Sequence, residues 1–203
     1  MKGNDTGIQG TETMAPVHVT DIPLQNAITY GTMVCDHRPL KTETHRCCLV
    51  VGGDKLTYEN ETAAPAANLL ETKIMINSVI SMSNAKFLTV DIKDSFLLSK
   101  MAKPEYMKIR IEEIPEDIVT RYKLSTFTDN RNFVHFKISK GMYGLKQAAI
   151  LAYEQLKRNL APHGYQPIPN TVGLWKHSTK PIQFCFVLMT SGSNTQTRQM
   201  QNT

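Results

Sequence analysis

Two periods of apolar residues run along the chain. The run 47–51, Cys47-Cys48-Leu49-Val50-Val51, stops at Gly52-Gly53-Asp54 and reads as a strand entering a turn. Pro65 suits the start of a helix, and Leu69, Ile76 and Ile80 recur at helical spacing, with Leu70 and Val79 widening a stripe assigned to the core. Residues 87–92, Phe-Leu-Thr-Val-Asp-Ile, predict a buried strand with an acid, Asp91, near its end. Tyr106, Lys108 and Arg110 alternate with Met107, Ile109 and Ile111, a period of two that predicts a half-exposed strand with a basic outer face. Pro115-Glu116-Asp117 opens a short helix ending near Tyr122, since proline suits the first turn and both acids complement the helix dipole. A turn at 129–132 leads into a strand at 133–138, which predicts a hairpin. Leu145, Ala149, Ala152, Leu156 and Leu160 mark one helix face, ended by Pro162-His163-Gly164 and preceded by the glycine-bracketed loop Gly141-Met142-Tyr143-Gly144.

No fixed-period repeat interrupts this alternation, so residues 21–186 are expected to form one α+β domain. Residues 1–20 are polar and aperiodic and are expected to be disordered; the same holds for 187–203, where apolar residues are few. A net charge of +5 favours anionic partners such as nucleic acid. No apolar run approaches the roughly 18–20 residues that cross a bilayer, and no apolar leader opens the chain, so no membrane partner is expected. Four scattered cysteines fit an intracellular, reducing setting, cytoplasm or nucleus.

A strand-end acid, a glycine loop and a following helix can converge on a phosphate or a metal. Each part also has an ordinary structural reading: Asp91 as a cap or surface acid, Lys146 as a solvated charge, the glycines as turn residues. The residues themselves add a resemblance. Thr89-Val90-Asp91-Ile92-Lys93-Asp94-Ser95-Phe96-Leu97 resembles the first catalytic motif of copia-type retrotransposon reverse transcriptases, and Gly141-Met142-Tyr143-Gly144-Leu145-Lys146-Gln147-Ala148-Ala149 resembles their Y-G-L-K-Q-A-P segment. Residues 46–53 look like the family's basic fingers strand and 58–65 like its approach to a helix, so the likeness covers about residues 30–185.

The resemblance implies partial polymerase fingers and palm, an antiparallel sheet packed on helices, and an RNA-directed DNA polymerase that uses two Mg²⁺ ions, a template-primer of RNA or DNA and a dNTP. By the same carry-over Asp91 is a catalytic metal ligand with the Ile92 carbonyl beside it, and Asp94 and Ser95 offer backbone amides to the triphosphate. Phe96 lies under the sugar and excludes a 2′-hydroxyl, and Tyr143, Gly144 and Lys146 border the nucleotide. Cys48 stands where the family carries arginine, which leaves Arg46 as the nearby cation; Ala149 replaces a proline.

The family's second acid motif, V-D-D, should follow the Phe184-Cys185 strand, yet the chain reads Phe186-Val187-Leu188-Met189-Thr190. Asp91 alone cannot hold two divalent ions, so the chain is expected to be truncated before that motif and inactive. The codons restrict the cause. Read from the third base of codon 186, Met189 followed by Thr190 forces GAC, aspartate, and suitable choices at the free bases give V-D-D-F-G in register. One lost nucleotide near codon 186 would therefore make residues 187–203 an out-of-frame tail. Other readings stay open: a non-catalytic, basic nucleic-acid-binding module using Lys108, Arg110, Lys137, Lys140 and Lys146, or a remnant without function. Cys35, His37, His45 and Cys47 could form a zinc constellation, but C-x-H and H-x-C are not a standard knuckle, and zinc is not favoured.

Overall fold

The computed structural model describes residues 10–40, 42 and 44–187. In chain order its elements are β1 (Met14–Val17), β2 (Ile28–His37), β3 (His45–Val51), α1 (Leu69–Ile80), α2 (Ser95–Leu98), β4 (Lys100–Arg110), α3 (Glu116–Arg121), β5 (Phe133–Lys140), α4 (Ala148–Leu160), β6 (Tyr165–Pro167), β7 (Leu174–His177) and β8 (Gln183–Cys185). The class is α+β, as the alternating windows predict. The chain divides into two compact units, 1–64 with 89–160, and 65–88 with 161–203. Among the described residues no helix is long and apolar enough to cross a membrane.

The first unit is built on a five-stranded sheet in the order β1-β5-β4-β2-β3. Its pairings are antiparallel, as expected, except β2 with β4, which run parallel. β2 divides its length between two partners: residues 28–30 pair with β4, and residues 31–37 pair with β3. Alternation on β4 and β5 buries Met107, Ile109, Val134, Phe136 and Ile138. On the other side of β4, Lys108 and Arg110 lie over the Phe133 ring, 4.9 and 5.3 Å from its centroid, so this basic face is partly spent on an aromatic neighbour. The turn before β5 is held by Asp129, whose carboxylate accepts from the Arg131 and Phe133 amides and meets Nε2 of buried His135 at 3.0 Å. These bonds to the ionised form, His135 first, lower the Asp129 pKa to about 2.

The second unit combines α1 with the antiparallel sheet β6-β7-β8. Trp175 is fully buried and stacks on Phe184 at 5.5 Å, while Tyr165 meets His177 and Phe184 edge-on. Asn68 caps α1 by accepting from the Leu70 and Glu71 amides, and Glu71 reaches back to the Asn68 amide, a complete capping box.

Three expectations are corrected. Disorder over residues 1–20 fails at Met14–Val17, an edge strand held by its ladder to β5; residues 1–9 lie outside the described residues. The predicted α1 helix is present, but its stripe is not core, since Leu69, Leu70, Ile76 and Ile80 are exposed. The half-buried face is Thr72, Met75 and Val79, because periodicity fixes a helix without saying which side has a neighbour. Residues 87–92 are not a strand: Leu88 is 82% and Val90 77% exposed, and among the described residues no ladder pairs them. Apolar content without a hydrogen-bonding partner does not make a strand. The tail beyond residue 187 lies outside the described residues.

Candidate functional site

Within the first unit, the loop 141–147 is fastened to the β2–β3 hairpin by backbone groups. The Val51 amide donates to the Tyr143 carbonyl at 2.8 Å. Gly144 has φ +93°, and a Cβ there would collide with the Val51 carbonyl oxygen; a Cβ at Gly53 would in turn meet the Gly144 carbonyl oxygen. Glycine is required at both close approaches, and only glycine adopts the Gly144 conformation without strain. The Gly141 amide donates to the Ser99 carbonyl at 2.7 Å, joining the same loop to the residue that follows α2. Three segments distant in sequence thus meet around residue 143.

Their side chains meet as well. Tyr143 packs edge-on against Phe96 with ring centroids 5.2 Å apart, and Phe96 is buried. Arg46 interacts with Cys48 and with Tyr143. The Arg46 pKa is pushed up from its ordinary value by Cys48 first, against the opposing effect of burial, and then by Tyr143, so the guanidinium stays a firm cation. Asp94 adopts a left-handed backbone, φ 55°, at the start of α2, and Ser95 follows as its first residue. A polar cation, a phenol and a buried ring on one surface can hold an anion beside a flat, apolar group.

Other predicted site residues are not joined to this cluster. Asp91 and Ile92 lie exposed in the irregular segment before α2. Lys146 donates to the Leu56 carbonyl at 2.8 Å, anchoring the stretch after β3 to the loop. One exposed carboxylate does not supply the several oxygens that two Mg²⁺ ions take, and among the described residues no three His, Cys, Asp or Glu side chains are arranged to hold a metal. The residues present do not fit a two-metal centre.

Two polar pairs were not legible in the sequence. Gln147 is buried and donates to Glu105 at 3.3 Å, and burial raises the Glu105 pKa against the lowering effect of that bond. Tyr30 donates to Asp54 at 2.9 Å, tying β2 to the turn after β3. Neither has a spacing signal, because each joins positions paired only by the fold. The chain matches no family model, no curated protein and no solved structure.

Proposed function

We propose that this chain is the fingers and part of the palm of a copia-type RNA-directed DNA polymerase, catalytically incomplete for want of the second acid motif. The observation that supports this reading is the meeting of Arg46, Phe96 and Tyr143, one residue from each of the three segments that carry the resemblance. In this reading Arg46 holds a phosphate of the incoming nucleotide, Tyr143 and the Gly144 backbone border it, and Phe96 lies below the sugar. The exposed, unpaired stretch 87–92 fits the same proposal, because its neighbour in an intact palm is the V-D-D strand that this chain does not encode in frame. Asp91 then lacks the second carboxylate it needs, so no nucleotidyl transfer follows.

The nucleotide sequence of the transcript from codon 180 onward tests the proposal. A frame displaced by one base that reads V-D-D-F-G and remains open supports it. A displaced frame that is closed, or that reads otherwise, refutes the polymerase parentage of the tail and leaves salt-sensitive duplex binding without extension as the better account.

A further inference from the structure

The β2–β3 hairpin has a second face. Its register pairs Cys35 with Cys47 and His37 with His45 directly across the two strands. Residues two apart on a strand share a face, so these four side chains occupy neighbouring rungs on one side. Asp36, Arg46 and Cys48 project from the opposite side, the one that meets Tyr143. Arg38 and Thr44 are joined by a backbone hydrogen bond at 2.6 Å, and because bonded and non-bonded pairs alternate, both the Cys35–Cys47 and the His37–His45 pairs fall in non-hydrogen-bonded positions. Side chains stand closest there.

The side chains bear this out. The register sets Cys35 directly beside Cys47, and the His37 and His45 rings stack with centroids 4.9 Å apart. Cys35, His37, His45 and Cys47 are exposed, and Nδ1 of His45 lies 3.2 Å from the Thr44 hydroxyl, which leaves its Nε2 for a ligand. As they stand, no three such donors converge on a single point among the described residues. The unconventional C-x-H and H-x-C spacings cease to be an objection, because two strands in register, rather than one tight turn, bring the pairs together.

We propose that Cys35, His37, His45 and Cys47 form a tetrahedral site for a thiophilic divalent cation of the Zn²⁺ class, closing the end of the β2–β3 hairpin. Two thiols lose their protons to solvent, two neutral imidazoles donate nitrogen lone pairs, and the dication with two thiolates leaves the site electrically neutral. The imidazole rings turn from their stacked arrangement so that one nitrogen of each faces the metal.

The test uses the full chain, reduced, with Co²⁺ as the probe and Zn²⁺ as competitor. One Co²⁺ per chain is expected, with the intense d–d bands of tetrahedral cobalt and thiolate charge-transfer absorption, all removed by Zn²⁺. C35S or C47S lowers affinity by roughly a hundredfold or more, H37A and H45A abolish the tetrahedral spectrum, and C48S leaves it unchanged. Alkylation of the unsubstituted chain needs no variant: Zn²⁺ is expected to protect Cys35 and Cys47 while Cys48 reacts at its metal-free rate. The proposal is overturned if the cobalt spectrum is octahedral or absent, if Cys48 is protected equally, or if the Cys35–Cys47 pair only oxidises to a disulfide without taking up metal.

Discussion

Replacing Asp129 with asparagine tests the turn that sets the start of β5. The carboxylate accepts two backbone amides, at 2.8 and 2.9 Å, through one oxygen, and meets Nε2 of His135 through the other at 3.0 Å. His135 is 3% exposed and among the described residues its Nδ1 has no hydrogen-bond partner, so its proton belongs on Nε2, facing the carboxylate. The folded pKa of Asp129 is about 2 against an ordinary 3.8, a difference worth about 2 kcal/mol. Because the folded value is depressed, that stabilisation is complete above pH 3.8 and is lost as the pH falls through 2; about half is gone by pH 3. The substituted amide keeps an oxygen for the two backbone donors but offers His135 an N–H, which forces the histidine proton onto buried Nδ1. Urea unfolding at pH 6 should therefore show Asp129→Asn less stable by about 2 kcal/mol. At pH 3 the gap should narrow by about half. A difference between the two proteins that is the same at both pH values would refute the account.

Gly144→Ala, with its left-handed backbone and its contact on the Val51 carbonyl, should cost about 2 kcal/mol or more in thermal or urea unfolding. Asn68→Ala removes one half of the α1 capping box and should cost about 1 kcal/mol, read as faster hydrogen exchange at the Leu70 and Glu71 amides. Burial holds the Glu105 pKa above its ordinary value, so its ionisation opposes folding; stability should rise as pH falls from neutrality through that folded pKa, and Glu105→Gln should flatten this part of the profile. Trp175→Ala, at a fully buried ring stacked on Phe184, should cost about 3–5 kcal/mol, measured as loss of the structure of the second unit.

Elements that announce themselves within one segment were legible. The strands at 47–51 and 133–138 and the helix ending at Pro162 appear as β3, β5 and α4, since alternation, glycine turns and helical spacing are properties of a few neighbouring residues. What depends on a distant partner was not. β2 mixes apolar and polar residues without a clean period and is a strand because β3 and β4 both pair with it. Residues 87–92 are apolar enough for a strand and remain irregular because nothing among the described residues pairs with them. The α1 spacing identified a helix, while its orientation depended on neighbours the sequence does not name. At the candidate site, Tyr143 and Phe96 were singled out separately, but only the glycine contacts at 53 and 144 explain how Arg46 reaches the same surface.

The order of strands in the larger sheet governs how the chain can fold as it is made. β1 is the first strand in chain order, yet among the described residues its strand partner is β5, so Met14 waits for Ile138. That is about 120 residues of synthesis, on the order of ten seconds at ordinary elongation rates, during which the N-terminal segment has no ladder to join. The β2–β3 hairpin closes over a short loop and can form long before that moment. A nascent chain stopped before β5 emerges would therefore carry a formed hairpin and an unpaired first strand, a species open to chaperones and to edge pairing with other chains.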